Sequence, residues 1–270
     1  MTCTHPIKMG TGMVVPCGKC MACRVKRTME WSVRILDEAS YYKTNTFLTL
    51  TYNDENLPKD GSLSKEEVQK YLKRLRDRLD GREIKFYAAG EYGEENGRPH
   101  YHLILMNVGM KKDFDEMDKA WNKGYVYVRP VVPETVRYVT AYVQKKLSGK
   151  KAKEVYGDKL PPFNLMSKGI GKRWANENAE YLNRYKCITV KGKPVGIPRY
   201  YTKVVDIDLG LFPGFWDDGI AVTRANEKVL ERVAWLEQNV PLEDEWKLVQ
   251  AKRRQDELTI EQKVSMKKRK

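Results

Sequence analysis

Apolar positions along this chain fall into runs whose spacing switches between the helical period of about 3.6 and the strand period of 2. Thr28 precedes Trp31, Val33, Ile35 and Leu36, a spacing that predicts a helix reaching about Tyr42. FLTLTY at 47–52 has the β-branched and aromatic content of a buried strand, and NDENLPKDG follows as a loop. Ser64 and Glu67 form a capping box ahead of Val68, Tyr71, Leu72, Leu75 and Leu79 at helical spacing. IKFYAA at 84–89 reads as a second strand, GEYGEENGRP as a turn-rich connection, and HYHLILMN at 100–107 as a third strand. A short helix over Asp113–Trp121, a fourth strand at 125–131 and a helix from Pro133 to about Leu147 complete this part. The order predicts an α+β sandwich, an antiparallel sheet flanked by helices that lie on one face.

Beyond Leu147 the pattern becomes loop-rich, with SGKKAK, PPF and Gly169-Ile170-Gly171. A hairpin is expected through Cys187–Tyr201 around Lys191-Gly192, and a helical pattern returns after Ile220. The closing MKKRK reads as a disordered basic tail. The chain therefore divides into a Cys-rich element at 1–27, a central domain at 28–203 and a helical region with a basic tail at 204–270.

Charge sharpens this picture. The formal net charge is +14, and residues 137–199 hold 15 Lys and Arg against 4 Asp and Glu. Tyr138, Tyr142, Tyr156, Phe163, Trp174, Tyr181, Tyr185, Tyr200 and Tyr201 are interleaved with those cations. Clustered cations suit a phosphate backbone, and rings among them suit the exposed bases of a single strand better than a membrane surface. No run reaches the roughly 18 apolar residues of a membrane span, and MTCTHPIKMG lacks the apolar core of a signal peptide, so a cytoplasmic protein is expected.

His100 and His102 lie two apart in a predicted strand, so both imidazoles point to one face while Tyr101, Leu103 and Leu105 point to the other. Taken alone, the pair is equally at home in an ordinary half-buried strand. Glu91, at the end of the preceding strand, can come beside it, and two imidazoles with one carboxylate suit Mg²⁺ or Mn²⁺ acting on a phosphate. Tyr138 and Tyr142 share a face of the helix VRYVTAYVQKKL, with Lys145 and Lys146 one turn beyond Tyr142. Such tyrosines can be core packing, or nucleophiles that need a nearby cation because a free phenol has a pKa of about 10. Cys17, Cys20 and Cys23 have CxxCxxC spacing, and Cys3 offers a fourth thiolate for structural zinc. His5 could replace one of them. The same spacing occurs at iron–sulfur sites but here lacks the usual following Cys-Pro, and plain reduced cysteines are the remaining alternative.

FLTLTY, GEYG, RPHYHLIL and YVTAYVQKK, in this order, resemble the motifs of the HUH (His-hydrophobic-His) endonucleases. More closely, PCGKCMACR, TLTYNDENLP, GSLSKEEVQKYLKRLR, MSKGIG and GIPRYYTK resemble the replication initiation proteins of gokushovirus-type single-stranded DNA phages, over about residues 1–203. The resemblance implies an HUH endonuclease domain at 28–203, with His100, His102 and Glu91 holding a divalent metal. It implies Tyr142, assisted by Lys145, as main nucleophile and Tyr138 as a second. It further implies nicking of single-stranded origin DNA, a 5′-phosphotyrosyl link, rolling-circle replication with host replication proteins, and later rejoining. Lys146, Lys150, Lys151 and Lys153 are the expected DNA-binding cations. A plasmid relaxase, a single-tyrosine transposase or a non-enzymatic zinc-dependent nucleic-acid-binding protein are the alternatives.

Overall fold

The computed structural model describes residues 3–10, 14–93, 96–145, 150–190, 192–207 and 242–268. The elements in chain order are β1 (Ile7–Lys8), β2 (Val14–Val15), α1 (Met21–Ala39), β3 (Asn45–Tyr52), α2 (Lys65–Arg78), β4 (Lys85–Tyr92), β5 (Pro99–Met106), α3 (Phe114–Trp121), β6 (Gly124–Pro130) and α4 (Pro133–Lys145). They continue with α5 (Lys150–Tyr156), β7 (Phe163–Met166), α6 (Lys172–Glu177), α7 (Ala179–Tyr185), β8 (Ile188–Val190), β9 (Lys193–Val195), α8 (Arg199–Val204) and α9 (Leu242–Lys268). The chain forms two compact units, Trp31–Trp174 on the one hand and Met1–Glu30 with Ala175–Lys270 on the other.

In the unit spanning Trp31–Trp174, five antiparallel strands pair in the order β6-β3-β5-β4-β7. Alternation along β3 and β5 sends Leu48, Leu50, Tyr52, Tyr101, Leu103 and Leu105 to one face, where Val68, Tyr71, Leu72 and Leu75 of α2 and Met117, Ala120 and Trp121 of α3 cover them. Phe47, Ile104, Met106, Tyr87 and Ala89 face the other way, against Ile35 and Ala39 of α1 and Val136, Val139 and Tyr142 of α4. Helices thus lie on both faces, correcting the expectation of one. The physical reason is that the β5 residues Leu103–Met106 are apolar without alternation, so neither of their faces can be left to water.

Local chemistry explains the elements. Ser64 caps α2 by accepting the backbone N–H of Glu67 at 3.3 Å. Tyr101, the residue between the histidines, is fully buried; its hydroxyl accepts the Ser64 N–H at 2.9 Å and bonds the Tyr52 hydroxyl at 3.0 Å. The tyrosine therefore ties the central strand to the start of α2, which a plain hydrophobe could not. Three expectations need correction. The first helix starts at Met21, inside the Cys-rich segment, because Met-Ala-Cys-Arg-Val-Lys continues the apolar spacing backward. The segment after Leu147, expected as loop, contains α5, the edge strand β7, α6 and α7. The tail is helical through Lys268, as lysine is a good helix former. The hairpin forms as β8 and β9, while residues 208–241, where the returning helical pattern began, lie outside the described residues.

Candidate metal and nucleotidyl-transfer site

Register assembles the site. Across β6, β3, β5 and β4, one row of opposed residues is Tyr125, Thr51, His100 and Glu91. The next row is Tyr127, Thr49, His102 and Ala89. Directly opposed residues point to the same side, so Glu91 stands beside both histidines. One Glu91 oxygen, Oε1, lies 2.9 Å from His100 Nε2 and 3.1 Å from His102 Nε2. The three ligand-capable atoms fall within 4.8 Å of one another. His102 and Glu91 are buried and His100 is half-buried.

The opposite ring nitrogens are engaged as metal-ligand imidazoles require. His100 Nδ1 donates to the Arg98 carbonyl at 3.1 Å, which can only accept, so its proton sits on Nδ1 and Nε2 is turned toward the carboxylate. His102 Nδ1 lies 2.9 Å from Thr49 Oγ1. Two imidazoles and a carboxylate with positions left open suit a divalent cation acting on a phosphate. Burial pushes the Glu91 carboxyl up, but hydrogen bonds from His100, His102 and Tyr142 outweigh it and hold the group below the usual carboxylate range.

Helix α4 roofs the site, entered through Pro133 at its first position, where the missing N–H costs nothing. The Tyr142 ring stacks on His102 at 5.3 Å with an interplanar angle of 4°, and Tyr138 meets His102 edge-on at 5.1 Å. The two tyrosine rings are 5.2 Å apart, so both expected nucleophiles stand over the same imidazole. They differ in access: Tyr142 is 5% exposed and Tyr138 49%. Burial, and then the hydrogen bonds with Glu91 and Tyr138, push the Tyr142 phenol far above its ordinary range. Lys145 is expected from sequence to favour the phenolate; the groups around Tyr142 act the other way and keep the proton on it.

Lys145 closes α4 with its side chain outside the described residues, as are the side chains of Lys150 and Lys151 in α5. Lys146 lies outside the described residues altogether, and Lys153 is exposed on α5. Two groups of functional interest are missed by sequence reasoning. Thr49 is a bystander in FLTLTY until pairing puts it beside His102. Tyr125 and Tyr127 are 70% and 54% exposed on the histidine face of β6, and the Arg129 guanidinium lies 5.1 Å above the Tyr127 ring while its Nε donates to the Tyr127 hydroxyl at 2.9 Å. Their signal is the alternation of YVYVR at an edge strand.

The four N-terminal cysteines also come together, their Sγ atoms all within 4.8 Å. His5 does not join them; its Nδ1 sits 3.3 Å from Glu257. Among the described residues no helix is long and apolar enough to cross a membrane.

Comparison with known proteins agrees on one class. The profile of a family described as "Replication-associated protein ORF2" matches residues 45–147, the stretch from β3 to just past the end of α4. The chain is 31% identical over 247 residues to "Replication-associated protein ORF2" of Spiroplasma virus 4, an alignment covering 82% of this chain and 74% of that protein. It is 29% identical over 242 residues to "Replication-associated protein VP4" of Bdellovibrio phage phiMH2K, covering 74% and 76%. A further relative, "Replication-associated protein ORF4" of Chlamydia phage 1, is 29% identical over 209 residues, covering 69% of this chain and 52% of that protein. No solved structure matches.

Proposed function

This chain belongs to the family of microvirus replication-associated proteins, and we propose that it is an HUH endonuclease that starts rolling-circle replication by nicking single-stranded origin DNA in the host cytoplasm. The observation that carries the reading is the convergence of two imidazole Nε2 atoms and the Glu91 carboxylate beneath the rings of Tyr138 and Tyr142.

The donor set fits Mg²⁺ or Mn²⁺, and such an ion, when bound, polarises the scissile phosphate and offsets its charge. His100 and His102 offer Nε2 to it, steadied from behind by the Arg98 carbonyl and Thr49. Glu91 supplies the negative charge of the ligand set. Tyr142, held against His102 and Glu91, is the first nucleophile: its Oη forms a bond to phosphorus as the bond from phosphorus to the 3′-oxygen breaks in line. The phenol proton ends on the departing 3′-hydroxyl, leaving a 5′-phosphotyrosyl link and a 3′-OH for a host polymerase. The ester conserves the bond energy, so the reverse transfer to a new 3′-OH rejoins the strand without ATP. Tyr138, exposed beside the same histidine, serves that second transfer. Cations of residues 137–199, with Lys145, Lys146, Lys150, Lys151 and Lys153 foremost, hold the DNA backbone.

The test is incubation with labelled single-stranded origin DNA and Mn²⁺, followed by denaturing gels. A covalent adduct is expected, absent in His100→Ala and His102→Ala although both still bind DNA. Tyr142→Phe should lose the first adduct, and Tyr138→Phe should keep it but fail in the second transfer. A phosphopeptide carrying only Tyr138 would reverse the tyrosine roles, and an adduct surviving in the double Phe variant would end the case for this helix.

A further inference from the structure

The structure assigns a second metal site, unrelated to strand transfer: we propose that Cys3, Cys17, Cys20 and Cys23 hold one structural Zn²⁺ that fastens the C-terminal helix α9 to the N-terminal segment.

A single zinc ion bound to four thiolates at about 2.3 Å requires sulfurs about 3.8 Å apart at the corners of a tetrahedron. Here all four Sγ atoms lie within 4.8 Å of each other, and Cys3 and Cys20 are 3.9 Å apart. An iron–sulfur cluster would spread its thiolates wider, because each binds a different iron. The backbone is shaped for thiolates as well. Gly18, at φ 71°, sits in the left-handed region that favours glycine, and the turn it makes aims the N–H groups of Lys19 and Cys20 at Cys17 Sγ, at 3.4 and 3.3 Å. The Cys17 N–H in turn reaches Cys3 Sγ at 3.3 Å. Donors pointed at sulfur stabilise its charged form, as a ligand thiolate needs.

The surroundings show what the ion would secure. Cys20 and Ala22 pack with Ile260 of α9, and Cys3, Cys17, Cys23 and Val264 complete that cluster. Thr4, next to the first ligand, donates to Glu257 of α9 at 3.0 Å. The seat of α9 is therefore made by the cysteine loops themselves. Residues 3–23 form only a two-residue hairpin, β1–β2, before α1, and a segment so short of core gains its fixed shape from a cross-link.

Two measurements on the full chain test this. Cobalt replaces zinc during refolding of the wild-type protein, and the expected result is thiolate-to-cobalt charge-transfer bands with the strong visible bands of a tetrahedral ion. The imidazole–carboxylate site has no sulfur and cannot produce them. Elemental analysis in a His100→Ala, His102→Ala background should give one zinc per chain, lost in Cys17→Ser or Cys20→Ser and kept in Cys23→His. In Cys20→Ser, amide exchange across α9 should speed by about tenfold or more while β3 and β5 keep their protection. Absence of thiolate bands in the wild-type protein overturns the site. Zinc binding with unchanged α9 exchange overturns the fastening.

Discussion

Thr49 offers the sharpest test of how the candidate centre is tuned. Its hydroxyl lies 2.9 Å from His102 Nδ1, and His102 is 4% exposed, so water has poor access to replace it. Thr49→Val removes the oxygen while keeping the branched shape. Two effects then oppose each other. Without an acceptor at Nδ1, the proton gains by moving to Nε2, which faces Glu91 Oε1 at 3.1 Å, and that tautomer blocks a metal. Against this, the ring is clamped by stacking on Tyr142 at 5.3 Å and Phe47 at 5.9 Å, so its orientation survives. Loss of an outer hydrogen-bond partner costs roughly 10–100-fold in metal affinity, and the clamp argues for the lower end, about tenfold or 1.4 kcal/mol. The assay is the rate of covalent adduct formation against Mn²⁺ concentration. The midpoint should move up about tenfold in Thr49→Val, with the saturated rate near wild type, and Thr49→Ser should behave as wild type. An unmoved midpoint in Thr49→Val, or an equal shift in Thr49→Ser, would refute the hydrogen-bond role.

Metal affinity should weaken as pH falls, because protons then compete for the imidazole nitrogens, and calorimetric titration in buffers of different ionisation heat should show protons released on binding. Gly124→Ala should destabilise the fold by more than about 3 kcal/mol, since at φ 152° the added Cβ would overlap the Thr51 carbonyl oxygen and the Asn53 nitrogen; a wild-type urea midpoint would contradict this. Tyr125→Ala with Tyr127→Ala should weaken single-stranded DNA binding by about 1–3 kcal/mol per base lost from stacking, with Trp at either position restoring it, while an abasic strand should not discriminate the variants. Charge reversal at Lys145, Lys150, Lys151 and Lys153 should lower affinity and flatten its salt dependence; an unchanged slope would place the DNA elsewhere.

The paired histidines were legible because their spacing alone fixes a shared face, and Glu91 because a turn-rich connection joins its strand to theirs. The sheet was legible wherever residues alternate or form long apolar runs. Strand β7 was not, since Phe-Asn-Leu-Met is only four residues long and follows Pro161-Pro162, which reads as loop. Its evidence is tertiary: Phe163 to Met166 pair with Gly90 to Tyr87, and the Ser167 hydroxyl accepts the Phe86 N–H at 3.0 Å. The covering of both faces was available in principle from the unbroken apolar stretch of β5, but the histidines at its start made one face look open.

Thr49 shows why the remainder stayed hidden. Its place beside His102 depends on the register of β3 against β5, and a slip of one residue would bring Leu48 or Leu50 there instead. What forbids the slip is on the opposite face, where Leu48 and Leu50 are fully buried among Leu103, Tyr101 and the helices α2 and α3. A one-residue shift would turn those leucines toward the buried carboxylate and the imidazoles, and would turn Thr49 and Thr51 into an apolar core. Burying an unpaired hydroxyl costs about 1–3 kcal/mol, and the leucines would forfeit their burial as well, so the chosen register wins by several kcal/mol. The alternation Leu-Thr-Leu-Thr is therefore the instruction that sets the threonine against the histidine. The residues that hold the centre in place are specified by the core on the far side of the sheet.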